Sequence, residues 1–85
     1  MTSTELKELF KGNKKSDSKR ISAAAVANIN KFATVNLRMD DKTLDYYYEV
    51  DIDELVNSEM PKAEYDVMKE QGWKIKTNKL IIYLI

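Results

Sequence analysis

Asp51, Asp53 and Glu54, with Asp40 and Asp41 a short way upstream, are the densest group of potentially chemical side chains in this 85-residue chain. Such a cluster invites comparison with a Ca²⁺ loop, which needs ligands at alternate positions and glycine at the sixth. Counted from Asp51, the fifth position is Leu55 and the sixth Val56, so the pattern fails. Carboxylates could also serve as a general acid and base, but that chemistry needs one of the pair in an apolar pocket with a raised pKa. No such asymmetric pair is evident. Helix capping and a solvated face account for these acids better. The chain has no histidine and no cysteine. It therefore lacks the side chain that titrates near neutrality, the commonest metal ligand, any thiolate and any disulfide. No catalytic residue, metal ligand or cofactor is expected, and the chain is read as not an enzyme.

The remaining candidates are for contact. Tyr46, Tyr47 and Tyr48 are consecutive, so in a strand Tyr46 and Tyr48 turn one way, toward a core, and Tyr47 the other. An outward Tyr on a rigid strand is a contact anchor of the kind enriched at interfaces. Its acidic neighbours Asp45 and Glu49 argue against base stacking, which wants basic flanks. Lys11, Lys14, Lys15, Lys19 and Arg20 make residues 1–20 a basic arm, read as flexible and as a binder of neighbouring protein subunits. Phosphate contact through the same residues is possible in principle but not favoured. At the other end Leu80–Ile85 is apolar on both faces. Such a run is either an inner strand or an edge that pairs with another chain, through Ile81, Tyr83 and Ile85.

The formal net charge of zero hides a segregated distribution. Residues 40–70 hold eleven Asp and Glu against Lys42, Lys62 and Lys69, whereas residues 1–39 and 71–85 both carry a positive excess. Opposed charge blocks set what a surface attracts rather than which fold it has. No apolar run approaches the ~20 residues needed to span a bilayer, and the opening residues do not form a signal-peptide pattern. A soluble protein, cytoplasmic in its host or carried in a virion, is expected.

The elements that position these residues are legible in outline. Val35, Leu37 and Met39 alternate with polar residues, as do Leu44, Tyr46, Tyr48 and Val50, which predicts a hairpin of strands 34–39 and 44–50. Pairing Met39 with Leu44 sets Leu37 against Tyr46, Val35 against Tyr48 and Arg38 against Asp45. A second hairpin follows from Trp73-Lys-Ile-Lys and Leu80–Ile85 (73–76 and 80–85), with a loop of two or three residues. Helical spacing of Ala25, Val26, Ile29, Phe32 and Ala33 predicts a helix over 22–33. Asp51 as cap predicts another over 52–58, and Pro61 with Gly72 brackets a third over 61–71, in which Ala63 and Val67 share a stripe that Tyr65 and Met68 widen. Within the arm, Glu5, Leu6, Leu9 and Phe10 could form an amphipathic turn or two, capped by Ser3 or Thr4.

The expected fold is therefore α+β: two antiparallel hairpins, helices on one face of the sheet, residues 21–85 as a single domain and residues 1–20 as an arm. For function, the polar arm, the opposed charge blocks, the apolar terminal strand and the lack of catalytic residue types point to a small structural or assembly protein, most plausibly a component of a bacteriophage virion, with which a Lys- and Asn-rich chain poor in Gly and Pro is compatible. The alternative is an acidic module that regulates a host protein by mimicking nucleic acid, with nucleic-acid binding through the arm as a weaker third. Other protein subunits are the expected partners, and no membrane.

Overall fold

A computed structural model describes residues 2–13 and 23–84. Among them are four helices and one four-stranded antiparallel sheet, the expected α+β architecture. In chain order these are α1 (Ser3–Phe10), α2 (Ala23–Asn30), β1 (Val35–Met39), β2 (Tyr46–Asp51), α3 (Ile52–Asn57), α4 (Lys62–Gln71), β3 (Lys74–Lys76) and β4 (Lys79–Tyr83).

The first departure from expectation is at the N-terminus. Residues 3–10 are not arm but a helix built into the core, with Leu6 0% and Phe10 1% exposed. Neither Ser3 nor Thr4 caps it. Thr2 does, accepting from the Glu5 N–H through Oγ1 at 3.2 Å, while Glu5 Oε1 accepts from the Thr2 N–H at 3.4 Å. This reciprocal capping box satisfies two amide donors at the helix start. An eight-residue helix is not stable alone in water, so α1 owes its existence to packing on α3 and β3. The chain beyond it is pinned by Asn13, whose Nδ2 donates to the Trp73 carbonyl at 2.6 Å and the Lys69 carbonyl at 3.2 Å.

The sheet order is β1-β2-β4-β3. One face carries Val35, Val50, Tyr48, Leu80, Ile82 and Ile75, and all four helices pack on it through a shared core that includes Ile29, Ile52, Leu55, Tyr65, Met68 and Trp73. Only half of the expected α4 stripe is buried. Tyr65 and Met68 are buried, whereas Ala63 and Val67 face outward. Tyr65 decides this rotation, because its hydroxyl donates to the Leu55 carbonyl at 3.1 Å from within the core. Burial raises the Tyr65 pKa above the ordinary phenol value. Gly72, at φ 102, closes α4 as expected, with the Trp73 N–H donating back to the Met68 carbonyl. The second hairpin has a two-residue loop, since Lys76 pairs with Lys79.

Candidate functional site: the uncovered end of the first hairpin

The hairpin β1–β2 faces the way its alternation requires, but its register is two residues from that expected. Met39 pairs with Tyr46, Leu37 with Tyr48 and Val35 with Val50. A two-residue shift preserves which side chains share a face, which is why the alternation could not reveal it. The turn decides it. The Asp40 N–H donates to the Asp45 carbonyl at 2.8 Å, the Leu44 N–H donates to the Asp40 carbonyl at 2.8 Å, and Asp40 Oδ1 accepts from the N–H groups of Lys42 (2.8 Å) and Thr43 (3.3 Å). Asp40 thus organises a loop over Asp41–Leu44, and Leu44 belongs to the turn rather than to the strand. With this register Arg38 meets Glu49 (Nε to Oε1, 3.0 Å) instead of Asp45.

Those hydrogen bonds also act on the Asp40 carboxylate. Donation from the Lys42 and Thr43 N–H groups holds its pKa below the ordinary value, the Tyr83 hydroxyl and the Lys76 charge add to this, and partial desolvation opposes it. A folded pKa below the unfolded one means stabilisation that is present above the ordinary carboxylate pKa of about 3.9 and lost as pH falls through the folded value. Acid is therefore expected to loosen this turn. In a pH titration followed by NMR, the Lys42 and Thr43 amides should shift with a midpoint below that of an unperturbed Asp, and Asp40→Asn should remove that transition. A midpoint at or above the ordinary value would contradict the turn geometry.

Leu44 sits in the left-handed region, at φ 62, and is 65% exposed. For a residue with a Cβ that conformation costs about 1–2 kcal/mol, and glycine or asparagine would occupy it more cheaply. Leu44 is thus strained and buries little. Next to this turn, on the helix-bearing face of the sheet, Leu37 (54% exposed), Met39 (46%) and Tyr46 (53%) are exposed as well. Tyr46, expected in the core, lies outside it because the helices stop short of this end of the hairpin. Tyr48, one pair further in, is half-buried against the core. These side chains form an apolar surface rimmed by Asp41, Lys42 and Asp45, all exposed.

The residues singled out as contacts are placed differently. Tyr47 faces away from the helices as expected, but it is half-buried, its ring centroid 5.3 Å from that of Tyr83 and with Lys76 Nζ 5.6 Å above it. That is within cation–π range. Tyr83 also donates to Asp40 Oδ2 at 3.3 Å, and its pKa is raised chiefly by burial. Ile81 shares this face at 5% exposure, beside Tyr47, Glu49 and Lys76. Strand β4 lies between β2 and β3, but β3 pairs it over Lys79–Ile81 alone, so its backbone is paired on both sides there and on the β2 side only at Ile82 and Tyr83. The pairing edge foreseen at Ile81 is occupied by β3, Tyr83 pairs with β2, and Ile85 is outside the described residues. Of the basic set, Lys11 ends α1 and lines a shallow cleft with Lys7 and Lys74. Lys14, Lys15, Lys19 and Arg20 are also outside the described residues.

Among the described residues no group of three Asp or Glu side chains stands together as a metal site, and no helix is long and apolar enough to cross a membrane. Sequence reasoning missed Leu37, Met39, Leu44 and Tyr46 as a surface because alternation marks them as half-buried without saying what covers them. Compared with protein-family models, with curated proteins and with solved structures, the chain matches none.

Proposed function

We propose that this protein is a small non-enzymatic assembly protein that docks on other protein subunits through the uncovered end of its first hairpin. One observation carries the reading: Leu44 holds a strained left-handed backbone with its apolar side chain in solvent, where neither the turn nor the core gains from a leucine. Local strain and exposed apolar surface both cost stability, and such departures mark positions that serve contact rather than folding. The four exposed side chains amount to about 400 Å², within the range of the largest apolar patch of an ordinary monomer, which is often a functional surface. The Lys- and Asn-rich composition supports a bacteriophage virion as the setting.

Two measurements test this. A photo-crosslinking residue placed at Met39 should give adducts to protein in the producing cell, and one placed at Val67, equally exposed but on the back of α4, should not. Leu44→Gly should raise stability by about 1 kcal/mol through relief of the left-handed strain, a rise of several degrees in melting temperature for a domain this size. It should also weaken the Met39 adducts. A variant that melts lower, or a Met39 probe that captures no protein, counts against docking at this site.

A further inference from the structure

Strand β1 is an edge of the sheet among the described residues, and it is lightly defended: no proline, no lysine and no bulge interrupts Val35–Met39, and its one charged side chain, Arg38, is paired with Glu49. Which of its backbone groups are free follows from the ladder. The Leu84 N–H donates to the Tyr46 carbonyl and the Asp40 N–H to the Asp45 carbonyl. With strict alternation, Tyr46, Tyr48 and Val50 present their main-chain groups to β4, while Tyr47 and Glu49 bond Arg38 and Asn36. The main-chain N–H and C=O of Leu37 and Met39 therefore point away from the sheet. Val35 points the same way, but its N–H is already bonded to Asn30 Oδ1 at 3.0 Å.

We propose that the occupant of this edge is a second copy of the same chain, paired antiparallel about Leu37 to make one continuous eight-stranded sheet. This rests on the docking function above and names its partner. Centred on Leu37, the two Leu37 residues exchange both main-chain bonds, and each Met39 N–H reaches the Val35 carbonyl of the other copy. The Val35 N–H is not needed, because Asn30 holds it. On the apolar side Leu37 meets Leu37 and Met39 meets Val35. On the opposite side each Arg38, neutralised by its own Glu49 at 3.0 Å, meets the uncharged Asn36. The register one pair further along would set Arg38 against Arg38, a like-charge contact that disfavours it. The chosen register also brings the second copy's turn, with Asp40 and Asp41, over residues 31–34, where Lys31 is exposed. The symmetry is two-fold and isologous, so pairing through β1 closes at a dimer, and the outer strands that remain are the two three-residue β3 strands with Lys74 and Lys76. Two patches of about 400 Å² fall short of the ~1,200 Å² typical of a stable interface, so the pairing is weak and depends on concentration.

Sedimentation equilibrium of the full chain, from about 5 µM to about 1 mM, tests it. The wild type should pass from monomer to dimer. Because Leu37 meets itself only in this register, Leu37→Lys and Leu37→Glu should each raise the dissociation constant more than about tenfold, while an equimolar mixture of the two should dimerise at least as well as the wild type. Leu37 is largely exposed, so both variants should keep the wild-type circular dichroism spectrum. A wild type that stays monomeric throughout, or variants that dimerise as it does, or a mixture that gains nothing, overturns self-pairing. If Met39 probes in the cell then capture a different polypeptide, docking stands without self-pairing. If they capture nothing, docking falls too.

Discussion

Trp73→Ala is expected to unfold a large fraction of the molecules at physiological temperature. Trp73 is the largest fully buried side chain, with 0% exposure, at the point where α4 ends and β3 begins. Removing a core tryptophan side chain costs about 3–5 kcal/mol, part of it transfer and part the cavity left behind. A domain of this length holds roughly 4–12 kcal/mol in all, so the loss takes from about a quarter to the whole of it. The indole also donates from Nε1 to Gln71 Oε1 at 3.1 Å, and the Trp73 carbonyl accepts from Asn13. The first of these disappears with the side chain, and the second weakens if the local backbone relaxes into the cavity. Denaturant titration followed by far-ultraviolet circular dichroism is the appropriate measurement, since the single tryptophan is lost in the variant. Trp73→Phe, which keeps most of the volume, should lie between. An Ala variant with an unchanged midpoint would mean that this core is not organised around Trp73.

Phe10→Ala should be nearly as damaging, and removing residues 2–13 should abolish cooperative folding. Phe10 and Leu6 stand one helical turn apart on α1 and enter the same cluster as Ile52, Leu55 and Trp73. Phe→Ala in a core costs about 3–5 kcal/mol, and loss of the whole helix would also leave α3 and β3 open to water. Lys7→Ala, on the exposed side of the same helix, should change stability by no more than about 0.5 kcal/mol. Thermal melts of the three proteins separate the two views of this segment. If it were a leader waiting for a partner, Phe10→Ala would melt like the wild type.

These two predictions differ in how visible their basis is in one dimension. The region around Trp73 is bounded by local signals: proline at the entry to α4, glycine at its end, and alternation beyond. The role of α1 is invisible locally, because eight residues with two buried apolar positions resemble any frayed amphipathic turn. Only Asn13 reaching Trp73 and Lys69, some sixty positions along the chain, and Phe10 entering the core make it part of the domain.

The candidate site divides in the same way. That Leu37, Met39, Tyr46 and Tyr48 share a face was determined by the period of two along the chain, since a strand cannot place alternate side chains otherwise. The class of fold followed from the same local periodicities and caps, as did α3 with its Asp51 cap and the closure of α4 at Gly72. The register of the first hairpin did not, because a two-residue slip leaves the faces intact and the choice falls to how Asp40 bonds its own turn. Nor did the burial of Tyr48 and the exposure of Tyr46, which depend on where helices from elsewhere in the chain stop. The interior position of β4 is of the same kind. Its apolar run demanded an inner position, but only the packed structure shows that β2 and β3 flank it and that β1 and β3 are the strands left at the edges. Periodicity is a property of neighbours along the backbone, whereas cover and edges are properties of what folds back from a distance.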